Sequence, residues 1–439
     1  MKNLLYFPIL VFLFGCAGFL DEKPSKTLDT PTSFDALQAM LDNSSTMNFQ
    51  PALPLILGGE YVSDDAGILA LPIWQQNLYL WKSEPFQVDD LVFDWRNMYN
   101  QVQNANVILE QLEQLPKNDS RWSEIRGAAL FFRAHAYFNL YNLFLDGPNL
   151  ESLNLNLSIP VRRTTAIGLS AEFAGREEIL SLIKTDLEES VGLLPNQSQY
   201  LFRPSKIAAY ALQARVYLAR GAYDLALQGA ENVLNSYRQL LDYKMVNQTA
   251  SFPFELVNRE VIWQSRMGSY NFIFSQTAFQ VDPGLYSLYE TTDLRRTLYF
   301  VRRTNGPFNF RGSYDGSNTL FTGLTTGEML LIRAECLARA GQTTRALVDL
   351  NTLLSNRYAI GFQPLQNLEG EALLKRILEE RRKELVFRGI RWSDLRRLNR
   401  EPAFQITMRR TFQGAEFEIS PQARTYVLPV PPRELSFVN

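Results

Sequence analysis

Hydrolysis, metal catalysis and nucleophilic chemistry each need particular residue types, and this chain of 439 residues supplies few of them. It has one histidine, His135, and two cysteines, Cys16 and Cys336. That removes sites built from several imidazoles, most zinc sites and a disulfide framework. His135 lies in an apolar helical stretch, where a satisfied core histidine is a simpler assignment than a general base. Cys336, in a similar stretch, reads as a small core residue. Hydrolysis by paired carboxylates needs two acids facing one another across roughly 5 to 9.5 Å. The doublets Asp64-Asp65, Asp89-Asp90 and Glu188-Glu189 do not meet that need, because adjacent side chains point in different directions. No G-x-S-x-G elbow, phosphate-binding glycine loop or metal-ligand spacing occurs. The residues therefore predict no catalytic group, no metal and no cofactor. Aromatic surface is plentiful instead: 29 Phe, 19 Tyr and 6 Trp are enough for some to form ligand-stacking platforms.

Something must position such platforms, and helical periodicity dominates the chain. Apolar residues recur at helical spacing from Leu91 to Leu115 (Trp95, Met98, Tyr99, Val102, Ala105, Ile108, Leu109, Leu112), and a second helix over about 122–145 should pair with this one as a hairpin. Further helices are expected at about 33–41, 173–194, 205–220, 222–236, 326–340, 343–357 and 370–388. A shift of 120 residues lays Ala214, Gly221, Ala226, Leu227 and Leu234 on Ala334, Gly341, Ala346, Leu347 and Leu354. Each copy is a helix with small residues on its inner face, a glycine turn and a second helix opening on Ala-Leu, which is the tetratricopeptide arrangement. Arg133-Ala134-His135-Ala136-Tyr137 can be set beside Arg333-Ala334-Glu335-Cys336-Leu337 as another first helix. The expected fold is mainly α, with about four tetratricopeptide-like hairpins packed against an irregular, loop-rich layer with few short strands. Stretches 44–90, 146–170, 237–324 and 401–439 do not read as helix and supply that layer.

The N-terminus reads as an export signal. Lys2 precedes an apolar run of eleven residues, Leu4 to Phe14, too short for the about 20 residues a spanning helix needs. Leu13-Phe14-Gly15-Cys16 resembles a bacterial lipobox, which makes residues 1–15 a signal peptide, Cys16 the lipidated residue and 16–32 a tether. Several acyl chains on one cysteine, at about 0.8 kcal/mol per buried methylene, anchor stably.

Charge excludes a polyanion partner: 44 basic against 46 acidic residues leaves a net of −2. Residues 375–400 do carry ten basic and four acidic side chains, which leaves 34 against 42 elsewhere. That segment is expected to lock against acidic neighbours and not to meet nucleic acid. Arg376/Glu380, Glu379/Lys383 and Glu384/Arg388 are each four apart and can pair along one helix. Trp392, Asp394 and Arg396 suggest a buried polar latch.

Several motifs together resemble the SusD/RagB family of surface nutrient-binding lipoproteins. Phe19-Leu20-Asp21-Glu22-Lys23-Pro24 is similar to its entry motif, Tyr99-Asn100-Gln101-Val102 with Asn104-Ala105-Asn106-Val107-Ile108-Leu109 to its first long helix, and Phe132-Arg133-Ala134-His135-Ala136-Tyr137-Phe138-Asn139-Leu140 to its second. The most specific likeness is the run from Glu379 through Glu384-Leu385-Val386-Phe387-Arg388-Gly389 to Trp392 and Arg397. Tyr426-Val427-Leu428-Pro429-Val430-Pro431 resembles the closing strand-like segment. The resemblance implies one domain over 33–439, with repeat units near 91–145, 173–236 and 326–388 and a binding layer from 44–90, 237–324 and 401–439. It also implies an oligosaccharide or other nutrient as cargo, a SusC-like TonB-dependent transporter as partner, membrane contact through the lipid anchor only, and no catalysis. The competing readings are an exported repeat scaffold that binds a protein, and an exported glycoside hydrolase.

Sugar rings present flat C–H faces edged by hydroxyls, so a site needs aromatic platforms with polar neighbours. Stretch 61–81 holds Tyr61, Asp64, Asp65, Trp74 and Trp81. Tyr270 and Phe272 form a second group, and Arg311, Tyr314 and Asp315 a third. These ten are the candidate ligand contacts, and for each the competing assignment is core packing or a loop staple.

Overall fold

The computed structural model describes residues 31–435 apart from 149, 151–156, 166–171, 276 and 305. The signal peptide 1–15, Cys16 and nearly all of the tether expected over 16–32 lie outside the described residues.

The helices that periodicity predicts are formed. Phe34–Leu41 starts where Ser33 accepts the Ala36 amide at 3.2 Å, a side-chain cap. Phe93–Leu112 and Ser120–Phe144 lie against one another, with the Trp122 indole donating to the Leu112 carbonyl at 3.1 Å. Gly221 and Gly341 close the two repeat turns at φ of 77° and 71°, a left-handed conformation in which glycine escapes a Cβ clash. Gly229, on the second helix of one repeat, faces Ala214 so closely that a Cβ there would sit 3.0 Å from the Ala214 amide nitrogen. Small residues thus set the distance between Lys206–Arg220 and Tyr223–Ser236.

A shared ion pair marks which helices are equivalent. Arg133 clamps Asp186 through Nε and Nη2 at 2.8 and 2.7 Å, and Arg333 clamps Asp349 in the same two-pronged way at 2.7 and 2.6 Å. The partner of Ser120–Phe144 in the repeat sense is therefore Arg176–Leu193, reached across the 145–175 connection, just as Thr343–Ser355 partners Thr326–Arg339. Phe93–Leu112 covers the outer side of this stack, and Gly370–Glu384 packs on Thr326–Arg339 at the other end.

Three local expectations are corrected. The helix expected over 370–388 ends at Glu384, because Phe387 and Gly389 take φ of 58° and 70°, and a new helix, Arg391–Leu398, begins beyond them. Arg388 is consequently off the helix: its guanidinium donates to Thr325 Oγ1 at 3.1 Å and lies 4.4 Å from the Tyr314 ring centre, with no direct bond to Glu384. Arg376 does pair with Glu380 at 2.8 Å, but Lys383 turns to Asp293 at 2.8 Å and Glu380 at 3.1 Å in place of Glu379. The second correction concerns 44–90, which contains the short helices Ser44–Met47, Leu53–Leu57, Asp65–Leu69 and Ile73–Tyr79. None exceeds two turns, so none shows a readable period. The third concerns the closing segment after Tyr426. It joins no sheet; the Leu428 amide donates to the Leu143 carbonyl at 2.9 Å, and Tyr426 stacks on Trp392 at 4.6 Å.

The irregular layer is held by small ladders. Tyr61–Val62 pairs with Gln280–Val281, Phe49–Gln50 with Arg266–Met267, and Met408–Phe412 with Ala415–Ile419 across a Gln413-Gly414 turn. Buried charges tie it to the helices. Arg295, Arg357 and Lys383 interlock with Glu260, Asp293, Glu380 and Glu384, all out of contact with solvent. The latch expected at 392–396 is present: Asp394 accepts from Arg381 and Arg397 at 2.9 and 2.8 Å, and buried Arg396 donates to the Asp146 carbonyl at 3.1 Å.

Candidate functional site

Two short helices build one wall of an open cleft of about 560 Å³, within the usual size range of small-molecule sites. The first, Asp65–Leu69, begins where Asp64 accepts the Gly67 amide at 2.8 Å. Gly67 lets it approach the opposite wall, since a Cβ there would lie 2.7 Å from the Ala278 Cβ and 3.0 Å from its Cα. The second, Ile73–Tyr79, starts after Pro72 and ends as Trp81 turns at φ 51°. That costly turn is pinned: the Trp81 indole donates to the Leu57 carbonyl at 3.1 Å, and Arg410 lies between Tyr79 and Trp81, 3.9 and 4.3 Å from their ring centres. Arg410 also donates to the Ile56 and Tyr79 carbonyls, so the Met408–Phe412 hairpin locks this wall from behind.

Residues 269–272, Ser275 and Ala278 form the other wall, and Leu91 and Phe93 stand at the rim, 37% and 46% exposed. Trp74 meets Tyr270 edge to face at 5.6 Å, and Tyr270 continues onto Phe272, nearly parallel at 6.2 Å. Behind them the Tyr270 hydroxyl lies by Asp94, whose other oxygen accepts the Ala52 and Leu53 amides at 3.0 and 2.7 Å. Burial pushes the Asp94 carboxyl up to about 7, more than these donors pull it down.

Three of the ten candidate contacts therefore meet in one cleft: Trp74, Tyr270 and Phe272. The others are held elsewhere by identifiable forces. Tyr61 is buried against Phe279 at 4.5 Å and Phe272 at 5.6 Å, and Trp81 is the buried turn just described. Asp64 caps its helix, and Asp65 accepts the Gln413 amide at 3.0 Å. Arg311 donates to the Gln248, Ala250 and Thr297 carbonyls, each at 2.8 Å. Tyr314 is buried beside the Tyr243 hydroxyl, and Asp315 is paired with Arg266 at 2.6 Å. Gln75, Phe93 and Ser275 also line the cleft, and sequence reasoning passed over them. Trp74 drew attention only as an aromatic in a stretch that does not read as helix, and nothing marked its polar neighbour.

His135 is a core residue. Its Nδ1 donates to Gln101 Oε1 at 3.3 Å and its Nε2 accepts from the Asn139 amide at 3.1 Å, which leaves no lone pair for catalysis. Burial, helped by Arg215, pushes it down to about 3, so the ring is neutral. It borders a small, partly open cavity of about 30 Å³, room for one water, with Arg215, Arg381 and Trp392. Among the described residues no group of His, Cys, Asp and Glu could hold a metal ion, and no helix is long and apolar enough to cross a membrane.

Stacked helical hairpins carrying a loop-built, aromatic-walled cleft define a class of repeat-scaffold protein. A family model described as "Starch-binding associating with outer membrane" matches residues 18–218, and the SusD family model matches 291–437. The chain belongs to the SusD/RagB family. It is 25% identical over 368 residues to the SusD-like protein P2 of Formosa agariphila, an alignment covering 69% of this chain and 71% of that one. Among solved structures, a SusD superfamily protein from Bacteroides fragilis has a TM-score of 0.73 at 21% identity, covering 93% of this chain and 99% of the other. A SusD-like carbohydrate binding protein from Bacteroides vulgatus gives 0.68 at 18% identity, covering 92% and 96%. At these identities the structural likeness establishes the fold.

Proposed function

We propose that this protein captures an oligosaccharide in the cleft walled by Trp74, Tyr270 and Phe272, without cleaving it, and passes it to a SusC-like TonB-dependent transporter. The carrying observation is the cleft itself: Trp74 meets Tyr270 and Phe272 from a distant segment there, with Phe93 at the rim, amides and hydroxyls share the lining, and no carboxylate lines it. Aromatic faces with neutral hydrogen-bonding groups suit sugar rings, whereas hydrolysis needs an acid pair. Family membership supports the transporter as partner and an outer-membrane location, with Cys16 as the lipid attachment site.

Calorimetry of the full-length chain in detergent against malto-, xylo-, manno- and laminari-oligosaccharides tests capture, and Trp74→Ala should weaken the binding roughly tenfold. Release of reducing ends by the purified chain would overturn the non-catalytic reading. Cys16→Ala should free the protein from membranes, and unchanged attachment would remove the lipid anchor from the proposal. A large outer-membrane barrel should co-purify from native membranes; a soluble protein partner in its place would favour a scaffold.

A further inference from the structure

We infer that Gln75 reads the cargo through its side-chain amide and that the cleft selects uncharged saccharides over anionic ones, an inference that rests on saccharide capture in this cleft. Gln75 lies on the helix Ile73–Tyr79 directly after Trp74 and is 5% exposed. It lines the cleft, and its carboxamide has no hydrogen-bond partner among the described residues. Its backbone is already committed to the helix. A glutamine offers two donors and an acceptor, which water satisfies in the open cleft and which a ligand displacing that water must satisfy in its place. A pair of neighbouring sugar hydroxyls, each both donor and acceptor, matches that need. Trp74 and Tyr270 supply the stacking surface within the same cavity, so ring face and ring edge can be read together.

The charge selection follows from what surrounds that amide. The lining consists of aliphatic and aromatic side chains with Gln75, Ser269, Asn271 and Ser275, and it includes no lysine, arginine or histidine. An anionic group entering such a cleft loses hydration and finds no cation to replace it. The field of the neighbouring segments opposes it further. Over 64–96 the carboxylic residues Asp64, Asp65, Glu84, Asp89, Asp90 and Asp94 stand against Lys82 and Arg96, and 268–278 carries no charged residue. A site for uronate or sulfate esters would place arginine or lysine where this one places Gln75 and Asn271.

The test sets two groups of probes against the full-length chain in detergent micelles: malto-, xylo-, manno- and laminarihexaose, and hexagalacturonate with a heparin-derived hexasaccharide. The expected result is binding of at least one neutral hexaose, changed less than about twofold between about 50 and 500 mM NaCl, with no measurable binding of the anionic pair. Gln75→Met, which keeps chain length and loses only hydrogen bonding, should weaken that binding about tenfold and leave the melting temperature within about 2 °C. Gln75→Glu should weaken it more at pH 8 than at pH 5, a pH dependence that a packing role would not produce. Preferential, salt-sensitive binding of an anionic probe would overturn the charge selection. Unaltered affinity in Gln75→Met would overturn the assignment of Gln75. Failure of every saccharide would overturn the capture reading together with this inference.

Discussion

The Nε of Arg357 donates to both carboxylate oxygens of Glu384, at 3.1 and 3.0 Å, with neither residue reaching solvent. The same guanidinium reaches Glu260, and Arg295 approaches Glu384 from the other side at 3.1 Å. One carboxylate thereby joins the 237–324 layer to the helix that precedes the turn at Phe387 and Gly389. Burial alone would raise the Glu384 carboxyl, but Arg357 and Arg295 outweigh it and hold it well below the ordinary range.

Removing that carboxylate should leave buried Arg357 with Glu260 as its remaining acid and take one of three acids from buried Arg295. Glu384→Gln is expected to cost about 3–5 kcal/mol in urea unfolding. A loss under about 1 kcal/mol would mean that the network is better solvated than its burial implies. Because the Glu384 pKa is depressed in the fold, its stabilising contribution is present above the unfolded value of about 4.5 and is lost as pH falls toward its folded value.

Arg133–Asp186 and Arg333–Asp349 hold equivalent repeat helices, so they should show similar coupling. Double-mutant cycles with Arg133→Ala/Asp186→Ala and Arg333→Ala/Asp349→Ala are expected to give about 1–3 kcal/mol each. Coupling confined to one pair would break the equivalence of the two hairpins.

His135 and Asp94 should tilt the pH profile in opposite directions. His135 is pushed down to about 3 in the fold, so the unfolded chain binds its proton first as pH falls below about 6.5, and stability is lost on acidification. Asp94 is pushed up to about 7, so the unfolded chain ionises first above about 3.9, and stability is lost as pH rises toward 7. A tenfold difference in proton affinity between the folded and unfolded chain is worth about 1.4 kcal/mol, so either effect is large enough to measure. Asp94→Asn should gain stability relative to the parent at pH 8 over pH 4, and His135→Asn should flatten the acid limb. Parallel profiles for parent and variants in urea melts would refute both assignments.

Gly67 brings the Asp65–Leu69 helix against Ala278 across the cleft. Gly67→Ala should force the walls apart, at about 1–3 kcal/mol of stability, and lower cargo affinity by more than Arg333→Ala does. Equal affinities of these two variants in calorimetry would show that the approach of the walls does not shape the cleft.

How much of this was legible depended on element length. The long helices were readable because a buried stripe repeats over several turns, as in Phe93–Leu112 with buried Trp95, Met98, Val102 and Ala105. Gly221 and Gly341 were readable because a left-handed turn excludes most other residues. Ile73–Tyr79 spans only 7 residues, and nothing local says that Trp74 faces a cleft while Trp81, at φ 51°, turns inward under Arg410 from more than 300 positions away. Tyr314 and Arg311 lie in an equally aromatic and polar loop, yet partners from 243–250 and 297–299 consume them.

The amino-acid sequence alone determined the α-helical repeat scaffold and the family motifs, because each rests on spacing within a short stretch of chain. The tertiary structure decided which aromatics line the cleft, that the Gln75 side-chain amide beside Trp74 has no hydrogen-bond partner among the described residues, and that the charges of 376–384 form a buried network and not a surface ladder. Those outcomes depend on contacts between segments tens to hundreds of residues apart, and the burial and pairing that such contacts impose have no signature in local spacing.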